Sequence, residues 1–138
     1  MTQDADHRNG VWVTPKSFFD PLQVEFALQV DAAASPDNAM LPLYWTEIDS
    51  AFDHDWTGKR VWCNPPYGRK EIYRWVQRCA TGGAEICVAL LPARTDNRWF
   101  HDFIYKKPNA EIRFVKGRIR FSGTKGTGKF PSMIVIFR

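Results

Sequence analysis

Cysteine is scarce in this chain of 138 residues: Cys63, Cys79 and Cys87 are the only three, and no two form a C-x-x-C pair. An odd count without that spacing excludes a disulfide framework and offers no zinc motif. Long apolar runs are missing too. The longest, Ile86 to Leu91, is far short of the roughly 20 residues a membrane-spanning helix needs. The polar start MTQDADHRNG lacks the apolar centre of a signal peptide. We therefore expect an unexported protein of a reducing cytoplasm, with neither a membrane partner nor a metal. Lys and Arg are absent from Asp31 to Asp55, where six acids stand, a local excess suited to a cationic or hydroxyl-rich ligand. Acids in turn are rare late in the chain: residues 94–138 hold 11 Lys/Arg against 3 Asp/Glu, whereas 1–93 hold 8 against 12. The two parts carry net charges of −4 and +8. A basic tail suits phosphate, and a lopsided solvated surface has the same composition, so charge by itself names no partner.

What is present is a large apolar and aromatic complement. Apolar residues make up 44% of the chain, with six Trp and ten Phe, enough to pack a core rather than remain disordered. The length suits one domain, so residues 1–138 are expected to share a single core, with no separate domain for target recognition.

Local patterns order the elements. Thr14-Pro15 reads as a helix start, Thr capping and Pro in the first turn, with Pro21 expected to kink or split the helix. Phe26 to Val30 reads as a strand ending at Asp31, followed by the small-residue loop Ala32-Ala33-Ala34-Ser35-Pro36. Such strand ends are where α/β proteins hold ligands. Residues 36–58 show no period and are expected to be loop with a helical turn or two. Val61-Trp62-Cys63 is a short strand cut off by Asn64-Pro65-Pro66-Tyr67-Gly68, since two prolines continue neither strand nor helix. Ile72, Trp75, Val76 and Cys79 fall on one helical stripe closed by Gly82-Gly83. Ile86 to Leu91, apolar throughout, fits a strand covered on both faces. Asp96 is placed to cap a helix carrying Trp99, Phe100, Phe103 and Ile104, and strands are predicted at 111–116, 118–121 and 132–137. This order describes an open α/β sheet, mostly parallel, with an antiparallel C-terminal strand.

The chemistry concentrates in Asn64-Pro65-Pro66-Tyr67. An exocyclic amine of a nucleobase is a poor nucleophile because its lone pair is delocalised into the ring. A catalyst must hold the NH2 with acceptors that favour a more tetrahedral nitrogen. Asn64 Oδ1 and the Pro65 carbonyl are such acceptors, the prolines stiffen the backbone, and the Tyr67 ring offers a face for a flipped-out base. A bare Asn-Pro-Pro-Tyr is also what an ordinary proline turn contains; its place after a strand and downstream of an acidic loop favours function.

With these residues the chain resembles the small phage-type DNA N6-adenine methyltransferases that depend on S-adenosylmethionine. The likeness extends over most of the chain, through Thr14-Pro15 with Phe19-Asp20, Asp31 to Pro36, Asn64 to Gly68, Leu91 to Asp96 with Trp99-Phe100-His101, and Pro131-Ser132-Met133. It implies a trimmed Rossmann-like methyltransferase sheet with helices on both faces, acting on DNA in the cytoplasm, or the host cytoplasm if phage-encoded. By position it implies that Asn64, Pro65, Pro66 and Tyr67 hold the target adenine. Asp31, Ala32 and Ala33 would line the methionine end of the cofactor beside Thr14 and Pro15, and Asp49 and Phe52 would meet the adenosine. Direct in-line transfer to the N6 amine follows, without a covalent enzyme intermediate, so the cysteines are expected to be dispensable.

The chain departs from the wider class in two ways. Three alanines stand where a glycine-containing loop is usual, and the short stretch between Asp31 and Asp49 leaves little room for a helix and second strand. Target reading would then fall to loop 36–58, to the basic carboxyl-terminal third, or to a homo-oligomer. Arg94, Arg98, Arg118, Arg120, Lys125 and Lys129 are phosphate-contact candidates as a group. Gly123 to Lys129 imitates a phosphate loop, but Phe130-Pro131 follows it where Ser or Thr and a helix are required. Asp49, Asp53, His54 and Asp55 lack the defined spacing of a hard-cation loop, and His101 reads as a packing or capping residue. Two other readings stay open: methylation of an RNA base or protein amide nitrogen, and a non-catalytic DNA-binding accessory module that keeps the fold.

Overall fold

The computed structural model describes residues 13–121 and 130–138. The first helix, α1 (Lys16–Phe26), starts one residue later than the sequence suggests, with Pro15 at the cap and its carbonyl accepting from the Phe18 and Phe19 amides. Pro21 does not split it. Its missing amide removes one rung of the ladder, while buried Phe19 and Phe26 hold the helix to the sheet on either side of that rung. Ala27, in the left-handed region at φ 48°, ends the helix. The Gln23 side chain then accepts from the Leu28 amide at 2.7 Å and donates to the Leu28 carbonyl at 3.0 Å. Those two backbone groups are thus occupied, and β1 shrinks from the predicted 26–30 run to Val30–Asp31.

Among the described residues, six strands form one sheet in the order β2-β1-β3-β4-β6-β5. They are β1, β2 (Leu43–Tyr44), β3 (Arg60–Cys63), β4 (Ile86–Pro92), β5 (Ala110–Phe114) and β6 (Ser132–Phe137). The β2-β1, β1-β3 and β3-β4 pairs are parallel, whereas β6 runs antiparallel to β4 and β5. The mostly parallel sheet and the antiparallel final strand agree with the sequence pattern. No helix lies between β1 and β2, and a single short 3-10 turn at Ala51–Asp53 interrupts the loop before β3.

Alternation along the strands splits the core into two layers. Val61, Cys63, Cys87, Ala89 and Leu91 face α2 (Arg69–Thr81) and α3 (Arg98–Phe103), whereas Trp62, Val88, Leu90, Ile134 and Ile136 face α1. Helices therefore cover both faces. The predicted stripe Ile72, Trp75, Val76 and Cys79 is buried, and all seven residues of β4 are buried as its apolar run requires. A Cβ on Gly82 would stand 2.6 Å from the Arg78 carbonyl, and Gly83 has φ +82°, so the glycine pair is what lets α2 stop there. Two predictions fail. Asn97 rather than Asp96 stands at the α3 cap, without a side-chain bond. Residues 118–121 form no strand: β6 is already flanked by β4 and β5, Gly117 (φ +77°) turns the chain away, and Ile119 and Phe121 bury against the α1 layer instead. No helix among the described residues is long and apolar enough to cross a membrane.

Candidate active site

Strand order places the site. From β1 the chain moves to β2 on one side and only then returns to β3 on the other. The connections leaving the carboxyl ends of β1 and β3 therefore diverge, and a crevice opens at this switch point, the usual ligand position in open α/β sheets. Asp31 ends β1 and Asn64 follows β3. Thr14, Asp31, Ala33, Asn38, Met40, Trp62 and Asn64 line one small cavity that opens to solvent. Four residues singled out from the sequence, Thr14, Asp31, Ala33 and Asn64, thus come together. Ala32 is buried behind them with its amide donating to the Trp62 carbonyl at 2.9 Å, and Pro15 adjoins Thr14 as the α1 cap.

Asp31 dominates the electrostatics. It is only 2% exposed. One carboxylate oxygen accepts from the Ala33 amide at 3.3 Å and the other from the Met40 amide at 2.9 Å. Burial pushes its pKa up to about 6 against the downward pull of those two amides, and no salt bridge reaches it among the described residues. An acid held this way, beside a cavity and without a cation, suits a ligand that brings one. The loop 32–42 makes this cradle without glycine: Ala34 donates to the Trp45 carbonyl, Asn38 and Ala39 donate to the Ser35 carbonyl, and none of these residues has positive φ. The three alanines are thereby accounted for. Asn38 and Met40 escaped the sequence reading, because Met40 serves Asp31 through a backbone amide that any residue but proline carries.

At the end of β3, the Asn64 amide oxygen lies 2.9 Å from the Tyr67 hydroxyl and its nitrogen 3.4 Å from Thr14 Oγ1. The Tyr67 hydroxyl also donates to the Leu90 carbonyl at 3.0 Å. Pro65 is buried, Pro66 half-buried, and no hydrogen bond reaches the Pro65 carbonyl among the described residues. Tyr67 departs from its expected role as an open platform. Its ring is 7% exposed in the core, edge-on to Phe130 at 5.6 Å, because its hydroxyl finds partners inside. Arg94, exposed at the end of β4, stands 6.0 Å from the Phe130 ring, and the Ala93 amide bonded to the Pro131 carbonyl holds the two segments together.

Other candidates lie elsewhere. Asp49 pairs with His54 at 2.8 Å on the surface. The Ser50-capped turn points Phe52 toward α2, where its ring meets Trp75 at 4.7 Å and the Arg74 guanidinium at 4.0 Å. Asp49 and Phe52, expected to meet the adenosine, stand at this turn and not among the residues that line the cavity beside Asp31 and Asn64. Arg98 lies over Tyr73, and His101 bonds the Thr95 carbonyl as a capping residue would. Arg118 and Arg120 are exposed in the segment after β5. Lys125, Lys129 and the glycine-rich loop 122–129 lie outside the described residues. The three cysteines are free and buried, and burial pushes the Cys63 and Cys87 thiols well up, away from nucleophilic chemistry.

An open, mostly parallel sheet with an acidic cavity at its switch point defines an α/β protein with a crevice where such sheets usually take ligands. The chain belongs to the DNA N-6-adenine-methyltransferase (Dam) family, whose model matches residues 2–138. It is also 27% identical over 119 residues to a protein of Escherichia phage T1 named DNA N-6-adenine-methyltransferase. That match covers 83% of this chain and 48% of the relative, so the chain spans about half the length of the curated relative it matches.

Proposed function

We propose that the protein transfers a methyl group from S-adenosylmethionine to the N6 amine of adenine in DNA, using a trimmed Rossmann-like methyltransferase sheet. Family membership supports the reaction class. The observation that carries the assignment of residues is that Asp31 and Asn64 share one cavity at the β1/β3 switch point. The described residues build one sheet with two core layers, which supports reading residues 1–138 as a single methyltransferase domain. The cytoplasm, or the host cytoplasm for a phage-encoded copy, is where such an enzyme meets DNA.

The site's chemistry fits the cofactor. A buried carboxylate that meets no cation among the described residues, with the Thr14 hydroxyl and the Asn38 amide beside it, suits a molecule that carries an ammonium, a sulfonium and hydroxyls. Asp31 and Thr14 would hold its charged end, with Ala32 and Ala33 leaving room close to the backbone. S-adenosylmethionine, when bound, supplies an already activated methyl group, so no Ser or Cys nucleophile is required. Asn64 and the Pro65 carbonyl, which accepts no hydrogen bond among the described residues, accept from the two hydrogens of the target amine and draw its lone pair out of conjugation. Arg94 and Phe130, held beside Tyr67, offer the DNA a cation and a ring edge at the mouth.

The test is incubation with labelled cofactor and adenine-containing DNA. For Asn64→Ala we expect transfer to fall by about 10²-fold or more, with cofactor affinity by calorimetry nearly unchanged. Equal incorporation by both proteins overturns the catalytic assignment. The trimmed cofactor side, with its two-residue β2 and no helix over 32–42, favours an accessory module as the second reading, and absence of binding heat in the wild type would select it.

A further inference from the structure

The Tyr67 hydroxyl carries one proton and faces two acceptors, the Leu90 carbonyl at 3.0 Å and the Asn64 amide oxygen at 2.9 Å. Burial raises the phenol far above its ordinary range, so the proton stays on. Leu90 lies in β4 one residue beyond the last β3–β4 pair, Cys63 with Ala89, and is fully buried. A buried carbonyl past the end of its neighbouring strand needs a donor, and Tyr67 is placed to be it. Once that proton is committed, the Tyr67 oxygen has only lone pairs left for Asn64, and the matching end of the Asn64 side chain is the nitrogen.

Turning the amide end for end satisfies every group. Tyr67 donates to Leu90, the Asn64 nitrogen donates to Tyr67, and Thr14 Oγ1, 3.4 Å from the other end of the amide, becomes a donor to the oxygen. In this arrangement the oxygen stands on the Thr14 side, toward the cavity that Thr14 and Asn64 both line. In the opposite arrangement two acceptors compete for one proton and the cavity is offered an NH2, which cannot accept from an amine. We propose that the Tyr67 hydroxyl is a positioning group that selects the amide orientation presenting the Asn64 oxygen to the methyl-accepting amine. This rests on the reading above that Asn64 accepts from that amine, and it gives Tyr67 a role in its hydroxyl rather than in its ring.

Two measurements test it. In the wild type, nuclear Overhauser contacts of the Asn64 side-chain NH2 are expected to the Tyr67 ring protons beside the hydroxyl; contacts to the Thr14 methyl group instead would overturn the orientation. Tyr67→Phe keeps the ring and its packing and removes only the hydroxyl. We expect kcat to fall about 10-fold or more, with the KM for DNA and the Kd for S-adenosylmethionine within about two-fold, as for an interaction that matters only in the transition state. A Tyr67→Phe enzyme with wild-type kcat overturns the proposal, as does one whose loss lies entirely in KM, the mark of a hydroxyl that serves binding alone. Should wild type and Asn64→Ala both fail to transfer methyl groups, the functional reading has failed, and the Overhauser contacts decide the orientation alone.

Discussion

A single carboxylate controls how this site responds to pH. Asp31 has a folded pKa of about 6 against about 3.9 in an unfolded chain. Between those values the native state binds the proton and the unfolded state does not, so stability falls as pH rises through the interval. Relative to pH below 4, the buried charge at neutral pH costs roughly 3 kcal/mol. Asp31→Asn removes that charge but can satisfy only one of the two amides on Asp31, losing about 1 kcal/mol. Urea unfolding at pH 8 is therefore expected to show Asp31→Asn more stable than wild type by about 1–2 kcal/mol, with the order closing or reversing at pH 4. An identical pH slope in both proteins would show that Asp31 titrates normally. The same linkage governs binding. A cation beside Asp31 lowers its pKa, so cofactor binding should release protons near pH 6, and affinity should rise with pH up to that point and level off above it. Calorimetry at pH 6 in buffers of different ionisation enthalpy reads the proton count directly.

At the scale of elements, α1 connects packing with chemistry. Phe19 meets Trp62 edge-on at 5.0 Å and 83°, and both are buried. Trp62 lines the cavity from β3, while Thr14 enters it from the residue before the α1 cap. Phe19→Ala should cost about 3–5 kcal/mol in unfolding free energy. Because α1 positions Thr14, cofactor affinity should weaken in protein that remains folded; undiminished affinity would detach Thr14 from the site. The elements most legible in the sequence were those fixed by their own residues: the α2 stripe, the apolar β4 run and the proline-stopped β3. β2 has only two residues and exists because β1 offers it a ladder, and residues 118–121 carry a strand-like pattern but find no strand to pair with. The site divides in the same way. Asp31 and Asn64 could be read because each stands at a strand end, whereas the direction of the Asp49 and Phe52 side chains is set by a short turn with a Ser50 cap, which no strand or helix pattern announces.

For the whole molecule, the charge asymmetry along the sequence weakens in space. Arg113 of the basic part forms a two-point contact with Glu25 of the acidic part at 2.6 and 2.7 Å and also reaches Glu111, which Arg138 shares. Part of the apparent +8 surplus of residues 94–138 is thus spent on holding β5 to α1. Arg94 differs: exposed at the carboxyl end of β4, with its guanidinium over the Phe130 ring and its charge felt by Tyr67, it stands near the Asn64 segment. Arg94→Ala and Arg113→Ala remove the same formal charge, so an effect of net charge would treat them alike. If DNA meets the protein at the mouth of the crevice, Arg94→Ala should weaken binding and lower the slope of log affinity against log salt by about 1. Arg113→Ala should leave that slope unchanged and cost at most about 1 kcal/mol of stability, since its ion pairs are more than a third exposed and screened. Fluorescence anisotropy with one labelled duplex across a salt series gives both slopes. Equal slopes for the two variants would mean that DNA senses the overall field of the basic third, and that the crevice mouth has no special claim on the phosphates.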